Sequence, residues 1–160
     1  MDDTLDRFID LAAHATSDQL FAELHSMCDM LVGVKLFTCS SVDFAAGKAE
    51  RIYTSDAKAY PKTGLKDIVP NRWTKRVIDD RKPFLAKDIN ELRDVFPDHK
   101  KIEELGLGAA INLPVFLSNR LLGTINLLHV NGHYSDLNIE SLRAAALPAI
   151  ITFLGRNLAS

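Results

Sequence analysis

At 160 residues, 47% hydrophobic and 25% charged, the chain is long enough to bury one real core and has the make-up of a globular protein. A net charge of -2 with scattered Lys and Arg argues against a nucleic-acid partner, which needs a basic face or stripe. No apolar run approaches the ~20 residues of a membrane span, and the acidic start MDDTLDRF is the reverse of a secretion signal. The two cysteines, Cys28 and Cys39, fit neither metal-site nor disulfide spacing, so a reduced, cytoplasmic setting is expected.

Leu5, Phe8, Ile9 and Ala12 recur at helical spacing, as do Leu20, Phe21, Leu24, Met27, Cys28 and Leu31. The helix-start signal Thr16-Ser17-Asp18 divides them, so two N-terminal helices are expected within residues 4–32, the second ending at Gly33. Residues 34–44 are β-branched and aromatic enough for a strand, 45–49 turn, and 50–55 return, which makes a hairpin. From Asp56 to Pro70 the periodicity vanishes over about fifteen residues, a long connection for a compact fold.

Asn71 can cap a short helix with Trp73 and Val77 inward. Pro83–Lys87 reads as a short edge strand, Asp88 caps another turn, and Pro97-Asp98 starts a helix that Gly106 and Gly108 close. A second hairpin follows, and Ser135 or Asp136 is expected to cap a final helix over 136–158, kinked at Pro148. Helix, hairpin, irregular insert, hairpin, helix is the order of an α+β fold with an antiparallel sheet.

The second hairpin carries Ile-Asn-Leu twice, at 111–113 and 125–127. A turn at Ser118-Asn119-Arg120 sets Leu113 opposite Ile125 and Asn112 opposite Asn126. Ile111, Leu113, Val115, Ile125 and Leu127 then share one face, and the two amides share the other. Paired amides carry more donors and acceptors than they satisfy in each other. The remainder must reach the insert, water or a ligand, since each buried group left unmade costs ~1–3 kcal/mol.

These features resemble a GAF domain. The resemblance rests on Gly106 to Pro114-Val115 followed by Gly123-Thr-Ile-Asn-Leu127, on Tyr134-Ser-Asp136 leading into the last helix, and on the strand Pro83–Asp88 between helices. Arg51-Ile-Tyr-Thr-Ser55, Tyr60-Pro61 and Trp73 are similar to a set of stand-alone bacterial GAF proteins, and the likeness spans residues 18–155. It implies a single GAF-like (profilin-like) domain over 1–160, with a six-stranded antiparallel sheet and insert within 34–130. The terminal helices would cover one face and the irregular helical insert the other, with a ligand pocket beneath the insert.

The family's chemistries are tested against the residues present. A free methionine-sulfoxide reductase needs a nucleophilic and a resolving thiol at the pocket. Cys28 and Cys39 lie instead on a helix stripe and in the first strand, where the plainer reading is buried hydrophobe. A covalent bilin needs the same pocket thiol, and the Asn-Lys-Phe-Asp signature of cyclic-nucleotide binding is missing. His14, His25, His99, His129 and His133 have no carboxylate at ligand spacing, so there is no haem or metal signature, and the cofactor stays unknown. No catalytic constellation stands out.

The aromatics Tyr53, Tyr60, Trp73, Phe84 and Phe96 have the character of a small-molecule pocket, although they could equally roof the sheet as core. With Asn112 and Asn126 they form the candidate ligand-binding set, with Tyr53, Trp73 and Phe96 expected to converge. The expected function is a non-catalytic sensor of an unidentified small molecule. Its alternatives are a sulfoxide-reductase-like enzyme and a structural interaction module with a filled pocket. Leu11, Leu147 and Ile151 fall off the main helical stripes, which points to a homodimer through the terminal helices.

Overall fold

Two helices, α1 (Asp3–Ala12) and α2 (Ser17–Val32), open the computed structural model, which describes residues 3–158. Thr16 separates them. Its hydroxyl accepts from the Gln19 N–H and the Gln19 side chain accepts from the Thr16 N–H, a reciprocal cap that satisfies two otherwise orphaned donors. Gly33 stops α2 at φ 79°, a left-handed conformation that a side chain would strain, and a β-carbon there would lie 2.8 Å from the His133 ring.

The sheet is formed by β1 (Leu36–Asp43), β2 (Lys48–Thr54), β3 (Lys66–Asp67), β4 (Phe84–Ala86), β5 (Ala109–Leu117) and β6 (Arg120–His129). All neighbours are antiparallel, in the order β3-β2-β1-β6-β5-β4. The two hairpins supply the long central strands. Pro83 brings β4 in at an edge, where a missing N–H breaks no ladder. β3 lies inside the stretch read from sequence as loop; at two exposed residues, it is too short to carry a pattern.

Between the hairpins run α3 (Arg72–Thr74), continued as a π-turn over Lys75–Asp79, then α4 (Ile89–Arg93) and α5 (His99–Glu104). Asn71 and Asp88 cap α3 and α4, each accepting two backbone N–H groups. A 3-10 turn (Ile139–Ala145) and α6 (Ala146–Arg156) complete the chain. None of the helices among the described residues is long and apolar enough to cross a membrane.

Strand alternation sends Phe37, Cys39, Ile111, Ile125 and Leu127 into one core with Phe21, Leu24 and Cys28 of α2 and Ala149 and Phe153 of α6. The opposite face sends Leu36, Phe84, Ala86, Ala110 and Leu128 into a second core with Val77, Leu92 and Ile102 of the insert. The α+β class, the six antiparallel strands, the helices on one face and the insert on the other are those the resemblance implies.

The C-terminal helix departs from expectation. It does not run over 136–158: residues 139–145 wind as 3-10, and α-helix begins only at Ala146. Pro148 is the reason. It cannot donate to the Ala144 carbonyl, so it can occupy only a first turn, where the N–H has no intrahelical partner anyway. Pro148 therefore starts a helix and does not kink one, and Asn138, not Ser135 or Asp136, caps the preceding turn.

His25 of α2 stacks on Phe37, ring centroids 4.9 Å apart, and burial lowers its pKa from 6.5. The folded protein holds the imidazole neutral while the unfolded chain protonates it, so stability is fully present above pH 6.5 and is lost as pH falls below it. Urea midpoints are expected to drop between pH 7.5 and 5.5. In His25→Phe, which keeps the stack and removes the titration, that drop should shrink; an unchanged slope would assign it to other groups.

Candidate functional site

The insert-side face of the central strands has a polar floor. Thr38 and Ser40 of β1 pair with Asn126 and Thr124 of β6, and Asn112 of β5 pairs with Asn126. By alternation all five side chains point to the same side. The Asn112–Asn126 pairing is the one the apolar pattern predicts, reached by a different route. The turn has two residues, Ser118 and Asn119, at φ 49° and 63°, with Leu117 opposite Arg120. A bulge between Val115 and Phe116, with Leu122 as the extra residue on the partner strand, then restores the register.

The insert is tethered to this floor. Asn71 accepts the Trp73 and Thr74 N–H groups and donates to the Val95 carbonyl at 3.2 Å, which fixes α3 and its tryptophan. The Trp73 indole N–H then donates to Asn112 Oδ1 at 3.0 Å, Asn112 Nδ2 to Asn126 Oδ1 at 2.8 Å, and Asn126 Nδ2 to the Thr38 and Ser40 hydroxyls at 3.1 and 3.4 Å. Asn112 is only 2% exposed.

The outer wall comes from β2 and the loop after it. Tyr60 donates its hydroxyl to the Asp98 carboxylate beside α5, and the Arg51 guanidinium lies 3.8 Å over the Tyr60 ring. Arg51 also donates to the Pro61 carbonyl at 2.8 Å, and its Nη2 stands 3.5 Å from Asp98. Burial, and then the neighbouring Asp98 carboxylate, push the Tyr60 phenol well above its ordinary value, so Tyr60 stays a donor at neutral pH. Together these groups enclose a cavity of about 170 Å³ whose apolar wall includes Phe96, Ile102, Ala110 and Leu128.

Tyr60, Trp73, Phe96, Asn112 and Asn126 of the sequence-derived set line this cavity. Phe84 does not. It lies in the insert core with its ring edge-on to Phe96, 6.4 Å away, and supports the wall from behind. Tyr53 is on the opposite face altogether, stacked on Phe21 at 5.3 Å and edge-on to Phe37, so it does not converge with Trp73 and Phe96. The cause is a bulge in β2: Cys39 pairs with Tyr53 but Ser40 pairs with Arg51, so Ile52 is the extra residue. Strict alternation puts Tyr53 on the face of Arg51; the bulge turns it away.

Arg51, Asp98, Thr38, Ser40 and Thr124 belong to the cavity and were not singled out from sequence. The three hydroxyls had a signal, since they alternate with Cys39 and Ile125 in strands whose other face is apolar. Cys28 and Cys39 are fully buried on the helix face, across the sheet from the cavity. Burial pushes the Cys28 thiol up to about 12 and Cys39 well above its ordinary value. His129 and His133 stack at 3.4 Å at the end of β6, with a His133 ring nitrogen 2.8 Å from the Val32 carbonyl, so that pair ties β6 to the end of α2.

Sheet order, the helical layer on one face and a tethered insert roofing a cavity on the other decide the fold. It is a GAF fold. The GAF domain of a phosphoenolpyruvate–protein phosphotransferase from Acinetobacter superimposes with a TM-score of 0.69, at 10% identity over 98% of this chain and 92% of that one. A GAF domain/HD domain protein from Geobacter sulfurreducens gives 0.66, at 9% identity over 89% and 93%. The GAF domain of a two-component sensor histidine kinase from Bacillus halodurans gives 0.65, at 11% identity over 88% and 95%. At these identities the likeness is one of fold. No protein-family model matches the sequence, and no curated protein matches it.

Proposed function

We propose that residues 1–160 form one GAF domain that binds a small molecule without transforming it, and signals through a homodimer or a partner protein in the cytoplasm. The observation that carries this reading is the cavity: a polar floor of amides and hydroxyls, the aromatic rings of Tyr60, Trp73 and Phe96 around it, and a loop that Arg51 ties to β2 through the Pro61 carbonyl. GAF domains occur in a sensor histidine kinase and in a phosphotransferase among the similar structures, which supports a regulatory role. The reductase alternative needs a thiol at the cavity, and both thiols lie across the sheet in apolar surroundings. The filled-module alternative needs side chains where about 170 Å³ stands open.

Binding is read at the one tryptophan, which forms the roof. In a fragment screen on ¹⁵N-labelled protein, the Trp73 indole resonance is expected to shift for fragments that enter the cavity. A screen in which that resonance never moves would remove the sensor reading.

For the dimer, Met30, Leu147 and Ile151 are 73%, 69% and 47% exposed, and Leu154 is exposed beside them on α6. Apolar side chains left out of the intramolecular contacts of α2 and α6 form a surface suited to a second copy. Sedimentation is expected to show a dimer at micromolar concentration and a monomer of about half that mass for Leu147→Asp/Ile151→Asp. A wild-type monomer, or a dimer that ignores the substitutions, would overturn this.

A further inference from the structure

The hydrogen-bond chain on the cavity floor has a direction, and that direction follows from one residue. An indole N–H can only donate. Trp73 Nε1 therefore requires the oxygen of Asn112 to face it, at 3.0 Å, which turns the Asn112 nitrogen toward Asn126. Asn126 must then present its oxygen to Asn112 and its nitrogen to Thr38 and Ser40. Neither amide can be reversed without setting two donors against each other. The consequence falls on the hydroxyls: Thr38 Oγ1 and Ser40 Oγ are used as acceptors, so their protons are left to donate. Among the described residues no protein acceptor takes them, nor the proton of Thr124, which is 2% exposed and lines the same floor.

The opposite wall adds donors. The Arg51 guanidinium carries five N–H groups and no acceptor; one is given to the Pro61 carbonyl, and Nη2 stands 3.5 Å from Asp98. The one carboxylate of the cavity, Asp98, is already engaged by Tyr60 and Arg51. The lining thus offers a ligand three hydroxyl protons and the remaining guanidinium N–H groups as donors. Its volume of about 170 Å³ lies well below the ~300–1,000 Å³ of pockets for drug-sized ligands.

We propose that the cavity selects a short-chain organic acid: a small molecule whose carboxylate accepts from the Thr38, Ser40 and Thr124 hydroxyls and the Arg51 guanidinium, with its small apolar end against Phe96, Ile102 and Leu128. This rests on the reading of the cavity as a small-molecule site and adds the ligand's polarity and size. A ligand whose buried end only donates, such as an ammonium, leaves the three hydroxyl protons and the Arg51 guanidinium without an acceptor, which disfavours it.

The test uses three probes of one shape: isobutyrate, isobutyramide and isobutylamine, titrated against the full ¹⁵N-labelled chain while the Trp73 indole resonance is followed. Isobutyrate is expected to shift it with an affinity about tenfold above isobutyramide, the equivalent of one good hydrogen bond, and isobutylamine should leave it in place. Isobutylamine binding as tightly as the acid, or the amide matching it, would overturn the acid class and leave the cavity a binding site. Silence toward all three also overturns the class; the site itself falls only if a wider fragment library moves that resonance no more than they do.

Ser40→Ala/Thr124→Val removes two of the donors while Thr38 keeps its bond from Asn126, and its unaltered circular dichroism would show that it folds. In this variant the preference for acid over amide is expected to fall to within about twofold. Full retention of that preference would overturn the assignment of the hydroxyls.

Discussion

Replacing Asn112 by Ala is expected to cost about 2–4 kcal/mol in urea denaturation, far more than the few lost side-chain atoms would suggest. Asn112 is the middle of the chain from the roof to the floor: it accepts from Trp73 and donates to Asn126. Its removal strands the indole N–H and the Asn126 oxygen together, and each buried group without a partner costs ~1–3 kcal/mol. The cavity alongside sets the upper bound, since water entering from it can restore part of both bonds. The partner variant separates these terms. Trp73→Phe keeps most of the ring and removes the donor, so Asn112→Ala on that background should cost ~1 kcal/mol less than on wild type. A loss under ~1 kcal/mol in wild type, with no coupling, would mean that water serves the two groups as well as Asn112 does, and that the amide pair tethers nothing.

The amide pair was legible because one face of β5 and β6 is apolar without exception. Ile111, Leu113, Ile125 and Leu127 all enter the helix-side core, so any other register would bury an amide among them. Side chains next to bulges were not legible. Nothing in Arg51-Ile-Tyr marks Ile52 as an extra residue, and a one-residue insertion reverses the face of everything after it. That is how Tyr53 became helix-side core while Arg51 stayed at the cavity.

The pairing of Arg51 with Asp98 joins residues on β2 and next to α5, and only the folded insert brings them together. Pro148 was legible as an obstacle, but its consequence depends on where the α-helix begins. A 3-10 turn that hands over at Ala146 makes the proline a helix opener. The cavity's unclaimed donors were half legible. The hydroxyls can be counted in the sequence, but their free protons follow only from the indole that orients the amides above them.

Gly123→Ala is expected to be the most damaging single methyl in the chain. Gly123 lies in β6 opposite Ser41 of β1 and Val115 of β5, where the sheet meets α6. A β-carbon on it would stand 2.2 Å from the Ser40 carbonyl oxygen and 2.4 Å from Cε1 of Phe153. The first neighbour is backbone in a central strand and cannot swing aside; the second is a buried ring packed edge-on to Phe21. Overpacking a well-filled core costs ~1–3 kcal/mol, and more where the backbone must move. Here β1 and β6 must separate or α6 must lift, so a loss above ~3 kcal/mol or failure to accumulate as folded protein is expected. Gly64→Ala is the matched control. Nothing lies within 4 Å of its β-carbon and its φ is not in the left-handed region, so the same chemical change should be neutral or should stabilise by ~0.4–1 kcal/mol through the unfolded chain. If thermal melts place Gly123→Ala within ~1 kcal/mol of wild type, then α6 is not held against β6 at this spacing. In that case the close contact of helix and sheet, through which cavity occupancy would reach the α6 surface proposed for dimerisation, has slack to absorb a methyl group.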